Sequence, residues 1–326
     1  MKKATILYNK IESLFFVNKG NPEFLAFFRI STGALALLHF LSIISDFDKF
    51  FSSNSLVPQD IMSVFHPDWL LSFSKITHFF ESFGVAENTV ILGTKIMFIT
   101  FCINIIIGFY SRISAFLLLL LQVALLKGSS FFIYGVDFFT SMSLFYLILL
   151  PSDAYYSLLR FIIKKKTTEV HFMPVKRMFQ IHISIAYFFS GFDKLLGYNW
   201  RNGESIWKAI NLPYANRDFN FDFSWMADHS YILIIIGWST VIIEMLYPVF
   251  IWIPKTQKTW MMLTISMHLG IALVLNLYYF SAIMIIWNLT NFNFERETVT
   301  MKSPDFDRRF YKKSNPIGIQ KKLFPS

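Results

Sequence analysis

Few residues in this chain have both the chemistry and the setting to act, and the densest group lies in AYFFSGFDKLLGYNWRNGESIWKAINLPY. Tyr187, Ser190, Gly191 and Lys194 recur at i, i+3, i+4 and i+7, so on a helix they share one face that ends in an amine. An amine in apolar surroundings is costly to keep protonated, and such a lysine can serve as a base or nucleophile near neutral pH. Asp193 is its neighbour in sequence but points about 100° away round the helix, so it need not neutralise Lys194. Trp200 follows in the same stretch. The plainer alternative is an interfacial lysine that anchors the end of a span.

Other ionisable residues sit inside apolar runs, where they are expensive and face a cavity or one another. Asp137, in FFIYGVDFFTSMS, lies one turn from Tyr134 and from Thr140 and Ser141. Glu244, in STVIIEMLYPVF, has Thr240 at i−4 and Tyr247 and Pro248 beyond it. Carboxylates at such depth must be protonated, paired or hydrated, and pairing with Arg29 or Lys95 weighs evenly against catalysis. Arg29 shares a face with Thr32, Gly33 and Ala36; snorkelling to headgroups is its simpler role. His268, with Thr264, Ala272 and Asn276 on its face, is read as the one histidine deep in a span; a hydrogen-bonded core histidine is the plainer reading. No second histidine stands within four residues of it, and Cys102 is the lone cysteine, so no metal site and no disulfide are expected. GxGxxG, Walker, HExxH and GxSxG patterns are absent.

The elements that must position these groups follow from composition. Of 326 residues 54% are hydrophobic, 19% aromatic and 16% charged, the last well below the roughly 25% of a soluble domain. A net charge of +9 in such a chain points to lipid headgroups and not to nucleic acid. Apolar runs suited to spans cover 24–45, 88–110, 113–126, 131–150, 178–196 and 231–253, the third being short. A seventh run, 260–287, is about 42 Å long as a helix, so it is either tilted or broken, or a span followed by a re-entrant piece from near Asn276. Basic residues crowd 1–23, 151–177 and Lys255 and Lys258, while 46–87 and 193–229 are net acidic, which puts the N-terminus in the cytoplasm and Lys194 outside. The basic tail from Leu289 looks cytoplasmic, although seven spans would put it outside; an eighth crossing would reconcile the two. Trp69, Leu70, Phe73, Ile76, Phe80 and Phe83 recur at helical spacing in the first outer segment, as an interfacial amphipathic helix requires.

The expected fold is therefore an all-α integral membrane bundle of about 7–8 transmembrane helices with an extracytoplasmic amphipathic helix. Its organisation is a cytoplasmic segment 1–23, a transmembrane domain 24–288 and a basic tail 289–326. No cleavable signal peptide is evident, and the richness in Phe, Ile, Asn and Lys suits an AT-rich bacterial genome.

Four stretches together carry a resemblance: Ser190-Gly191-Phe192-Asp193-Lys194-Leu195 with Trp200 and Gly203, Ile133-Tyr134-Gly135-Val136-Asp137, Phe28-Arg29-Ile30, and His268-Leu269-Gly270 through Phe280-Ser281. Over about residues 20–290 the chain resembles the horizontally transferred transmembrane domain family, which includes the membrane domain of vitamin K-dependent gamma-glutamyl carboxylase and the sporulation-delaying-protein B group. The resemblance implies a multi-pass protein of the bacterial inner membrane, a carboxylase/epoxidase-like lyase or an oxidoreductase. It also implies a reduced, vitamin K-like quinone deprotonated by a lysine on the extracytoplasmic side. Lys194 and His268 match the family's basic lysine and late-span histidine, with Tyr187, Asp137 and Glu244 lining the pocket. Two features depart from the carboxylase: Asp193-Lys194 replaces a double lysine, and Ser129-Ser130 replaces an Asn-His pair. Only about 36 residues follow the membrane domain, so carboxylation of a propeptide-bearing protein is not expected. A small peptide or lipid substrate is expected instead. The alternative is an accessory protein for maturation or export of a small secreted peptide; a transporter with Arg29, Asp137 and Glu244 along a path is a third reading. On the enzymatic reading Lys194→Ala removes activity and spares the fold.

Overall fold

The computed structural model describes residues 21–64, 67, 69–164 and 171–293. The expected cytoplasmic segment up to residue 20, Lys165 and Lys166 of the basic loop, and the tail from residue 294 lie outside the described residues. All regular structure among the described residues is helical. Eight helices of eleven residues or more form the bundle: α1 Glu23–Ile43, α2 Glu87–Ile107, α3 Ser111–Gly128, α4 Gly135–Leu149, α5 Met173–Leu196, α6 Ser230–Phe250, α7 Pro254–Leu275 and α8 Tyr278–Asn288. Five of them, α1, α2, α3, α6 and α7, are long and apolar enough to cross a membrane. The other three fall short for identifiable reasons: α4 has 15 residues, α8 has 11, and α5 carries Lys176, Arg177, Asp193 and Lys194 near its ends.

Local chemistry sets several boundaries differently from the hydropathy reading. The third run is not short, because α3 extends to 18 residues by taking in Ser111, Arg112, Lys127 and Gly128. The fourth is shorter than expected, since Asp137 Oδ2 accepts the Tyr134 amide at 3.0 Å and so fixes the first turn there. Helix α5 begins five residues before the apolar run, at Met173 with Pro174 in its first turn, where a missing N–H costs nothing. Gly108, at φ 77°, ends α2 in the left-handed conformation that glycine adopts freely.

The long seventh run is broken at Asn276, which takes φ 57°, and the chain turns back on itself as α8. Trp252, just before α7, stands 5.9 Å from Phe292, in the π-helical turn Leu289–Asn293 that continues α8. The run is thus a helical hairpin whose two ends lie side by side.

Helices α1–α4 pack in sequence order, as do α5–α8, and α8 joins the two sets by packing on α1 and α4. Aromatic rings fill the centre: Tyr146 stacks on Phe179 at 4.2 Å, and Trp287 meets Phe179 edge-on at 4.6 Å. Trp287 Nε1 donates to Ser143 Oγ at 2.7 Å, so the one polar atom of this fully buried ring is satisfied.

Between α1 and α2 run three short helices, Phe47–Phe51, Gln59–Ser63 and Phe73–Glu81. The last covers only part of the expected amphipathic stretch, because Ser72 Oγ accepts the Lys75 amide and starts the helix there, leaving Trp69 and Leu70 outside it. Its apolar residues divide: Phe73 is buried against Phe47 and Phe51, while Phe79, Phe80 and nearby Phe83 form an exposed aromatic cluster.

Candidate functional site

Helices α5 and α6 approach most closely at Gly191, where an added Cβ would stand 2.7 Å from the Met245 amide nitrogen and 2.9 Å from Glu244 Cβ. One turn along α5, Lys194 Nζ donates to Glu244 Oε2 at 2.7 Å and to Ser190 Oγ at 2.6 Å. Glu244 is almost wholly buried, and the Lys194 side chain is 19% exposed, so the pair sits at the rim of the bundle with its carboxylate inside. The amine also lies 5.2 Å above the Trp200 ring. Trp200 is held there by a tight turn: its carbonyl packs on Gly237 of α6, and Gly203, at φ 82°, seats against the Ile234 amide. Asp193 is exposed and makes no bond to Lys194. The partner of Glu244 is therefore Lys194 and neither Arg29 nor Lys95; Lys95 instead reaches Asp48 at 3.3 Å.

Deeper between the same helices lies a second polar group. Tyr187 OH is 2.8 Å from His268 Nε2, Asn288 Nδ2 donates to Tyr187 OH at 2.8 Å, and Tyr247 OH donates to Asn288 Oδ1 at 2.8 Å. Asn288 Nδ2 also meets the Met284 carbonyl, which only accepts, so the amide cannot be flipped. Tyr187 accepts from Asn288, which leaves its own proton to donate to His268 Nε2 in the Nδ1–H tautomer. A neutral His268 then carries its proton on Nδ1, and that buried atom has no hydrogen-bond partner in the protein. An unmet N–H at this depth costs about 1–3 kcal/mol, which an acceptor oxygen would relieve.

Two substitutions test this geometry. Gly191→Ala places a methyl against backbone and is expected to destabilise the helix pair by about 1–3 kcal/mol, read as a lower unfolding midpoint in detergent. Tyr187→Phe strips both Asn288 Nδ2 and His268 Nε2 of a partner, an expected loss of about 1–3 kcal/mol in the same assay.

Arg29 belongs to neither group. It is fully buried, and its guanidinium donates to the carbonyls of Ile105 (2.7 Å), Ile106 (2.6 Å) and Tyr156 (2.7 Å). It caps α2 and ties it to the loop before α5, at the opposite end of the bundle from Lys194, so it neither snorkels nor pairs with a carboxylate. With Arg29 clamped there, Arg29, Asp137 and Glu244 form no shared path. Asp137 and Tyr134 lie together at the start of α4, and the cavity that Asp137 lines does not include Lys194. Phe280 separates this region from His268: its ring lies 5.8 Å from the imidazole and packs on Gly135.

Sequence reasoning passed over Asn288, His39 and His182. Asn288 was visible as an amide closing an apolar run, and it is the hub of the deeper network. His182 lies mid-way along α5 and bonds Tyr146 OH at 3.0 Å, and His39 lies in α1 beside Tyr134 and Tyr279, so His268 is not alone inside the long helices. Among the described residues no three His, Cys, Asp or Glu side chains gather as a metal cluster.

Comparison with family models, curated proteins and solved structures finds no match to this chain.

Proposed function

We propose that this is a multi-pass membrane enzyme that takes a proton from a weakly acidic, lipid-soluble hydroxyl compound at the outer leaflet, with Lys194 as the base. The observation that carries the reading is the 2.7 Å contact between Lys194 Nζ and the buried Glu244 carboxylate, with Ser190 Oγ completing the amine's shell. The resting pair is ionic, and passing the ammonium proton to Glu244 as the hydroxyl compound docks would free the amine's lone pair to act as the base. Ser190 Oγ and the Trp200 ring hold that amine in place. His268 Nδ1, a donor with nothing to bind in the protein, suits a second oxygen of the same compound.

A hydroquinone of the vitamin K type carries the two oxygens this donor set asks for, and when bound it would supply the acidic phenolic O–H. The resemblance of the Lys194 and His268 stretches to the horizontally transferred transmembrane domain family supports the same reading. We read the setting as the inner membrane of a bacterium, with the N-terminus in the cytoplasm. Eight passes result if α4, α5 and α8 join the five longest apolar helices, and the hairpin at Asn276 then returns the basic tail to the cytoplasmic side, where its charge belongs. In this frame Phe79, Phe80 and Phe83 dip into the outer leaflet.

The test is reduced menadione added to purified protein in detergent, followed by the absorbance of its ionised form. Wild type should raise the ionised fraction, and Lys194→Met combined with Glu244→Leu, which keeps the helices docked, should not. Equal spectra for the two proteins, together with no quinone in protein purified from native membranes, would overturn the proposal.

A further inference from the structure

A second polar cavity lies in the other half of the bundle and takes no part in the proton chemistry above. About 50 Å³ in volume, it lies among α1, α2, α3 and α4, with Phe40, Phe51, Phe98 and Leu125 in its apolar walls and Gln122, Ser129, Asp137, Thr140 and His39 on its polar side. That is several times the roughly 10–15 Å³ needed to admit one water-sized particle.

Its polar atoms are mostly oxygens, and they are underused. Asp137 is 8% exposed and gives Oδ2 to the Tyr134 amide. Thr140 is 2% exposed, and its Oγ1 has no hydrogen-bond partner in the protein. Gln122 is 7% exposed and brings an amide oxygen from α3. Ser129 Oγ donates its proton to the Leu125 carbonyl at 2.9 Å, which leaves its lone pairs free. An ionised carboxylate at this depth is stabilised by a balancing positive charge, and an orphaned hydroxyl by a partner.

We infer that this cavity binds a small monovalent cation of the sodium class, held by the Asp137 carboxylate, Gln122 Oε1 and Thr140 Oγ1. Hard oxygen donors select an alkali or alkaline-earth ion over a transition metal. A single carboxylate neutralises one positive charge, so the monovalent ion leaves the apolar surroundings without net charge. Histidine and cysteine spacing in the sequence says nothing about such a site, because its donors are an amide, a hydroxyl and one acid from two helices. Among the described residues that line the cavity, the internal competitor is His39, which could balance Asp137 if protonated.

The experiment follows thermal unfolding of the full chain in detergent while NaCl replaces choline chloride at constant ionic strength. Wild type should show a saturable rise of the midpoint with sodium, because a ligand that binds only the folded state stabilises it. Asp137→Asn, which can still cap α4, and Thr140→Val, which keeps the shape, should each lose the rise, while Lys194→Met/Glu244→Leu should keep it. A rise of equal size in choline, or one that survives both cavity variants, would overturn the assignment. So would a midpoint indifferent to sodium but lowered by His39→Gln, which would mark an internal His39–Asp137 pair.

Discussion

Lys194→Met is expected to lower the stability of the folded protein by about 3–5 kcal/mol, because it strands Glu244 as an unpaired buried carboxylate. The sequence reading anticipated a loss of activity that spared the fold; the ion pair changes that expectation. Attraction within the pair does little more than offset the cost of taking two charges out of water, so removing both should be mild where removing one is severe. The double variant Lys194→Met/Glu244→Leu should recover most of the loss. Unfolding in mixed micelles by helical circular dichroism reads both. A single variant as stable as wild type, or a double variant no better than the single, would show that the pair is not the buried unit described. Ser190→Ala should cost far less, since it leaves the ionic contact in place.

Arg29→Met is the other large effect. It takes from the carbonyls of Ile105, Ile106 and Tyr156 the donor they share; Ile105 keeps the Gly108 amide at 3.2 Å, while Ile106 and Tyr156 are left unmet, and an unmet buried carbonyl costs about 1–3 kcal/mol. The two losses overlap at a partly buried site, and a total of about 2–4 kcal/mol is expected. Arg29→Lys should rescue only part of it, because an ammonium cannot reproduce the fork that spans two separate segments. Limited proteolysis between α4 and α5 gives a second readout, since the loop at Tyr156 loses its tether. Cleavage and stability equal to wild type would refute the clamp.

How much of this could be read from the sequence depended on whether the information was local. Helical periodicity placed Tyr187, Ser190, Gly191 and Lys194 on one face, and the structure uses that face as the contact with α6. Hydropathy found the apolar runs, and the length of the seventh run pointed to a break near Asn276, where the chain reverses. Pairing was not legible. Glu244 lies 50 residues from Lys194, and Arg29 is 76 or more from the carbonyls it binds, so nothing in spacing could tell a clamp from a snorkelling side chain. The role of Asn288 was hidden for the same reason, as its partners come from α5 and α6. Helix ends were misjudged where polar residues did the work, as when Asp137 set the start of α4 and Ser72 delayed the outer helix.

The hairpin of α7 and α8 has a consequence for how the protein is made. His268 and Asn288, half of the deeper network, both arrive on this last pair of helices. Until it is synthesised, the hydroxyls of Tyr187 and Tyr247 have been delivered without the partners they need. At eleven residues, or about 16 Å, α8 is too short to enter a bilayer by itself and must be carried in by α7. Completion of the polar centre therefore waits on the α7–α8 hairpin. A chain cut short at Asn276 would reach the membrane with Lys194 and Glu244 already paired and the floor of its site missing.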